Sequence, residues 1–336
     1  MYETFFGLRE RPFDLTPNPR YLVLTSAHRE ALSNLEYGIA SRKGITLLLG
    51  EAGTGKTTLI RTALERQPER VHCVQVQNPA LTRTEFVEML AARFGLSDAA
   101  RQSKTTLLLE LEALLAERRR LGETTVLLVD EAQSLPLELL EEIRLLANIE
   151  TSDEKLLSVI MAGQPELGVR LDTQELRQMK QRIALRCELR PLTLQESCGY
   201  VAGRLRAAGG VGARTFTREA VTLMHERARG IPRSISVIAD NALLTGFAAG
   251  QRPVGTRLVL EVCRDLAIEG NGETPDAAPL PPLMEQQPEP ASRTAEGRML
   301  TLGDGVEGEL PVAEPDTPIE PAVLGGAPRR RRFGIF

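Results

Sequence analysis

Three histidines and four cysteines in 336 residues leave little from which to build a metal centre. The cysteines, Cys73, Cys187, Cys198 and Cys263, lie far apart and form no Cys-x-x-Cys pair, so a zinc site is not expected. Their scatter suits reduced structural thiols and a cytoplasmic setting rather than a disulfide framework. Long apolar runs are also missing: nothing approaches the roughly 18 residues that suggest a transmembrane helix. The opening stretch MYETFFGLRERPFDL puts charges where a signal peptide needs an apolar core. Nor does one sign of charge dominate, with 41 Lys/Arg against 45 Asp/Glu. Residues before 270 hold 35 basic and 34 acidic side chains, a balance that argues neither for nor against nucleic acid. No internal repeat is visible.

What is present is a sharp change of composition near Gly270. Residues 271–336 carry 11 of the 21 prolines and few large apolar side chains. Such a segment cannot bury enough surface to offset its ordering entropy, and a disordered tail over 270–336 is expected. Before it, short apolar runs alternate with helical patterns. GITLLLG (44–50), VHCVQV (71–76), TTVLLVD (124–130), LLSVIMAG (156–163) and ALRCELR (184–190) suit buried parallel strands. Phe86, Met89, Leu90 and Phe94 mark one face of a helix over 84–94, and a leucine stripe from Leu107 to Leu115 marks another over 105–119. Strands separated by helices predict a five-stranded parallel sheet covered on both faces, over 1–192, with the N-terminal residues wrapped over the sheet. From 193 to 269 strand signals stop, which predicts a small all-helical domain.

The chemistry begins at GEAGTGKTT, residues Gly50, Glu51, Ala52, Gly53, Thr54, Gly55, Lys56, Thr57 and Thr58. This fits G-x-x-x-x-G-K-[ST] between a strand and a helix, the pattern of a phosphate-binding loop. Gly53 and Gly55 let the loop turn its N–H groups inward, and the helix N-terminus adds its dipole. Lys56 reaches the β- and γ-phosphates, and the Thr57 hydroxyl takes a Mg²⁺ position. ATP or GTP is therefore the expected ligand. The strand TTVLLVDEAQ then ends in two carboxylates. Asp130 is placed to hold Mg²⁺ through water and Glu131 to polarise the attacking water. That second carboxylate favours a hydrolase over a passive binder or a nucleotide switch.

Three further residues are candidates for the same site. Gln164 follows the strand VIMAG directly, in reach of the γ-phosphate or the lytic water, or else in a plain strand-to-helix turn built on Gly163 and Pro165. Of Arg177, Arg182, Arg186 and Arg190, Arg182 lies just before the final strand and is the choice for an arginine finger acting in a neighbouring subunit. In RGIPRSIS, residues 229–236, Gly230 and Pro232 read as one helix ending and another starting. Arg233 then falls in a first helical turn, where the dipole favours anions. A γ-phosphate would explain it.

Taken together, the loop at 50–57, the strand end at 126–131, Gln164, the Arg182 region, GIPR and a helical lid resemble the AAA+ ATPase plan. The stretches FFGLRERPFDLTPNPRYL (5–22), SAHREALSNLEYGI (26–39), DEAQSLPLELLEEIRLLANIET (130–151), AGQPEL (162–167) and GIPR (230–233) resemble, more narrowly, the ExeA-like or general secretion pathway protein A family. The resemblance covers residues 1–268. It implies ATP with Mg²⁺, Gln164 as sensor 1, Arg233 as sensor 2, and a homo-oligomer in which Arg182 reaches a neighbour. It further implies work on envelope machinery, in type II secretion, pilus-like or exosortase-linked export, from the cytoplasm or at the inner membrane through partners. Longer members add a transmembrane helix and a peptidoglycan-binding region. Here the ATPase is followed by an acidic, proline-rich tail, so the resemblance does not carry over direct peptidoglycan contact. The ending RRRRFGIF, Arg329–Phe336, reads as a solvated terminus, a docking peptide for an envelope partner, or a contact for anionic lipid or nucleic acid. A rival is the related TniB-like and MuB-like transposition ATPases, which bind DNA. The near-neutral charge and the lack of a recognisable helix-turn-helix weigh against that alternative.

Overall fold

The computed structural model describes residues 1–14, 23–68, 70–76 and 81–268. The expected tail at 270–336, with its RRRRFGIF ending, and most of the proline-containing loop in 5–22 lie outside the described residues.

Five strands are described, β1 Ile45–Gly50, β2 Val71–Val76, β3 Thr124–Val129, β4 Leu157–Gly163 and β5 Ile183–Leu189. They form one parallel sheet in the order β2-β3-β4-β1-β5. Each expected strand is matched to within two residues at either end. Near-continuous apolar runs produce this because a parallel sheet is covered on both faces. Helices α1 Tyr2–Phe6, α2 Ser26–Ala40 and α3 Lys56–Glu65 are followed by α4 Arg83–Phe94, α5 Asp98–Gln102 and α6 Lys104–Arg120. Then come α7 Leu137–Leu146, α8 Pro165–Leu171 and α9 Arg177–Lys180.

Alternation along the strands divides the apolar side chains between two layers. Ile45, Leu47, Leu49, Leu127, Val129, Val159 and Met161 face a core shared with α4, α6, α7 and α8. Leu48, Val126, Leu128, Ile160 and Ala162 face the other way, onto α2 and α3. Local signals set the helix ends. Thr82 and Glu85 form a reciprocal capping box at the start of α4, and Gly95 closes it in the left-handed region at φ 72°.

After β5 the chain becomes helical: α10 Leu194–Ala207, α11 Gly212–Thr215, α12 Arg218–Ala228, α13 Pro232–Ala248 and α14 Thr256–Asp265. Thr193 caps α10 with a second capping box through Glu196. These helices enclose their own core, containing Leu205, Phe216, Met224, Ile235, Leu243 and Val259.

The first residues, expected with the 1–192 domain, belong to this helical core: Tyr2, Phe6, Leu8 and Phe13 are buried in it. Phe5 meets Phe247 edge-on at 5.7 Å, and Tyr2 Oη donates to Asp240 Oδ1 of α13 at 2.5 Å. Apolar burial is non-directional, so a short aromatic helix seals whichever face is open. Here that face is the lid, the sheet being already covered by α2 and α3.

Candidate functional site: a phosphate loop roofed by the lid

Parallel pairing aligns the carboxyl ends of β1, β3 and β4. Leu49 lies beside Gly163, and Leu127 beside Val159. The residues that follow these strands, Glu51–Gly55, Asp130–Glu131 and Gln164, therefore emerge on one edge of the sheet, where open α/β sheets bind ligands.

The loop between β1 and α3 has the geometry its glycines permit. Gly53 and Gly55 sit at φ 84° and 100°, a region an L side chain rarely adopts. Glu51 O accepts from both the N–H and the Oγ1 of buried Thr54, at 3.2 and 2.8 Å. Lys56 opens α3 and is itself buried, with Nζ donating to Gly50 O at 2.7 Å and Glu51 O at 3.2 Å. Burial lowers the pKa of this ammonium, and the nearby carboxylates of Glu131 and Asp130 oppose the shift. Ala52 is exposed at the loop's tip, and Thr58 lies in the first turn of α3.

Thr57 Oγ1 donates to Asp130 Oδ2 at 3.1 Å. A hydroxyl and a carboxylate meeting beside a phosphate loop are hard oxygen donors of the kind Mg²⁺ takes together with substrate phosphates. The pair fits that ion. Among the described residues no cluster of three or more His, Cys, Asp or Glu offers another metal site.

Glu131 occupies the left-handed region at φ 51°, uncommon for a non-glycine residue and a mark of functional sites. Its Oε2 accepts from Gln133 Nε2 at 2.6 Å and from Gln164 Nε2 at 3.4 Å. The Gln133 amide oxygen in turn accepts from Gln164 N at 3.0 Å. Gln133 thus joins the two expected residues, and sequence reading did not single it out. Arg170 of α8 holds the same turn by donating to the carbonyls of Gln133 and Leu135. The only local signal was the position of Gln133 two residues after Glu131.

The lid reaches this loop through RGIPRSIS. Pro232 starts α13, and Arg233 N donates to Gly53 O at 3.2 Å. A Cβ on Gly53 would lie 2.6 Å from Arg233 Cβ. Gly230, at φ 71°, packs on the chain between the domains. Its carbonyl accepts from Leu192 N at 2.9 Å, and a Cβ there would sit 2.3 Å from Leu192 O. Arg182 lies elsewhere. It precedes β5, with its carbonyl near Gly44 at the amino end of β1. A six-residue strand separates it from its own phosphate loop, on the order of 20 Å.

A second residue that sequence reading passed over is His28, in the first turn of α2. Its Nε2 lies 3.1 Å from Thr54 O and its Nδ1 2.7 Å from Thr25 Oγ1. Beside it, a cleft of about 540 Å³ runs between α2 and the end of β5, lined in part by Thr25, Glu30, Arg190, Thr193 and Glu196.

The fold and the loop together define a P-loop module of the AAA+ class. Residues 39–171 match the model of the AAA domain family. The Aeropyrum pernix ORC2 protein, solved in ADPNP–ADP complexes, has the same fold, with a TM-score of 0.58 at 18% identity over 77% of this chain and 72% of that one. Within the class, the chain is a homologue of general secretion pathway protein A. It is 42% identical to that protein of Aeromonas hydrophila over 256 residues, 76% of this chain and 46% of the relative. It is also 27% identical over 149 residues to the Mu-like prophage FluMu DNA transposition protein B of Haemophilus influenzae, covering 44% of this chain and 47% of that protein. The chain therefore spans a little under half the length of either relative. No helix among the described residues is long and apolar enough to cross a membrane.

Proposed function

We propose that the protein binds ATP with Mg²⁺ at Gly50–Thr58 and hydrolyses it to drive assembly or regulation of an envelope secretion or export complex. The observation that carries the hydrolytic part is the meeting of Thr57, Asp130, Glu131, Gln133 and Gln164 at the ends of β1, β3 and β4. Thr57 and Asp130 would hold the metal, which when bound neutralises developing charge on the phosphates. The loop N–H groups and Lys56 bind the phosphates. Glu131, oriented by two side-chain amides, accepts a proton from the attacking water as general base. Arg233 ties the lid to the γ-phosphate side of the loop, and Arg182 completes the site of a neighbouring copy in a homo-oligomer.

The envelope role rests on the 42% identity to general secretion pathway protein A. The relationship to the transposition protein supports a second reading, an ATPase acting on DNA. Turnover measured with and without double-stranded DNA separates the two. Stimulation that falls steeply with salt, as phosphate contacts require, favours the DNA reading. For the envelope reading, the ATP-loaded Glu131→Gln variant should cross-link to components of an export or secretion machine. Capture of a transposase in their place would sink it.

A further inference from the structure

The polar groups beside the phosphate loop that hydrolysis leaves unused meet at His28. Its side chain is buried, 4% exposed, at the start of α2. It bridges the Thr25 hydroxyl and the backbone of the phosphate loop. A carbonyl oxygen can only accept, so the proton between His28 and Thr54 belongs to Nε2. In the neutral ring Nδ1 is then an acceptor, and the Thr25 hydroxyl donates to it. Burial lowers the pKa of this imidazole and favours that neutral form.

The partner atom is informative. Thr54 O belongs to the peptide unit whose N–H is that of Gly55. That unit is planar and trans, so its C=O and N–H point in opposite directions. Holding the carbonyl against His28 turns the Gly55 N–H away from α2. A hydrogen bond to the carbonyl also polarises the N–H and strengthens it as a donor. Nothing else in the loop restrains this unit as directly. Gly55 at φ 100° has no side chain, and a Cβ built there would come within 3.7 Å of His28 Nε2. Glycine on one side of a peptide leaves it free to rotate. Thr54 is anchored through its own N–H and hydroxyl to Glu51 O, which fixes the residue but not the plane that follows it.

We propose that His28 is a positioning residue for the phosphate loop, holding the Thr54–Gly55 peptide so that the Gly55 N–H is presented to the β-phosphate of a bound nucleotide. The inference rests on the nucleotide reading above. The contact is made equally to substrate and transition state, so its loss acts through KM. A merely structural histidine would, on removal, lower the fraction of active protein and hence kcat.

The test uses the full chain, with ADP titrated calorimetrically and ATP turnover measured at steady state. His28→Phe keeps the ring and removes both hydrogen bonds. ADP affinity should weaken on the order of tenfold, the loss expected for one such bond, and the fall in kcat/KM should reside in KM. His28→Gln, whose amide nitrogen reaches the place of Nε2, should recover most of the affinity. Thr25→Val, which leaves the imidazole but removes its orienting partner, should weaken ADP by a few fold and decides the matter if His28→Phe does not fold. Lys56→Ala is the control. If the wild type binds ADP, Lys56→Ala does not, and His28→Phe matches the wild type, the nucleotide reading stands and the role of His28 falls. A loss confined to kcat, or a Gln variant as weak as Phe, overturns it equally. If the wild type binds no nucleotide, both readings fall.

Discussion

Arg233 of the lid and Gly53 of the phosphate loop are joined backbone to backbone, Arg233 N donating to Gly53 O at 3.2 Å, across 180 residues of sequence. The bond brings the first turn of α13 against the loop at a position where a side chain would collide with Arg233 Cβ. Lid and loop are thereby joined at Arg233. The Arg233 side chain is exposed, so Arg233→Ala should shift the melting temperature by no more than about 2 °C. The same variant should blunt the ATP-dependent change in assembly, followed by light scattering with and without nucleotide. Normal assembly and normal turnover would return GIPR to a simple helix break.

Glu131 and Gln133 should separate binding from chemistry. Glu131→Gln is expected to retain ATP while turnover drops by about 10²- to 10⁴-fold, the usual contribution of a general base. Gln133→Ala leaves the carboxylate but removes one of its two amide partners and the acceptor for Gln164 N. Its kcat should fall about tenfold with KM little changed, in line with one oriented hydrogen bond. Undiminished turnover in the first variant would remove Glu131 from the mechanism.

Gly230 tests the joint between the domains. At φ 71°, with a Cβ projected 2.3 Å from Leu192 O, alanine adds backbone strain and a backbone clash together. Gly230→Ala should destabilise the protein by about 2–3 kcal/mol in urea unfolding. A change below about 0.5 kcal/mol would mean that the joint gives way without penalty.

His28 makes stability depend on pH with a definite sign. Its folded pKa lies below the ordinary 6.5 because of burial. Between the two values the unfolded chain binds more protons, so stability rises with pH in that window. The contribution is complete above the unfolded value and is lost as pH falls below about 6.5 toward the folded one. Melting temperatures from pH 8 to pH 5.5 should therefore fall more steeply in the wild type than in His28→Gln. Parallel curves would show that His28 is not neutral and buried in solution.

Much of this molecule was legible locally. Apolar runs of six or seven residues can be read one at a time at the centre of a parallel sheet, because β1, β3 and β4 are buried on both faces along their whole length. The phosphate loop is read from its glycines and Lys56 for a similar reason: its function needs a fixed spacing within nine consecutive residues. The strand end Asp130–Glu131 follows from the same logic.

The rest depended on which distant atoms meet. Gln133 and Gln164 lie 31 residues apart and share a hydrogen bond. His28 and Thr54 meet across 26 residues. Nothing in the neighbourhoods of Gln133 and His28 distinguishes them from solvated polar residues. The aromatic N-terminus, expected beside the sheet, is buried in the lid, since hydrophobic burial specifies how much surface is covered but not by which partner. Sequence alone thus determined the sheet, the helices and the loop that would bind phosphate, each a consequence of short-range geometry and periodicity. Only the tertiary structure decided what orients that loop and what roofs it, because those contacts are set by the packing of three separate cores.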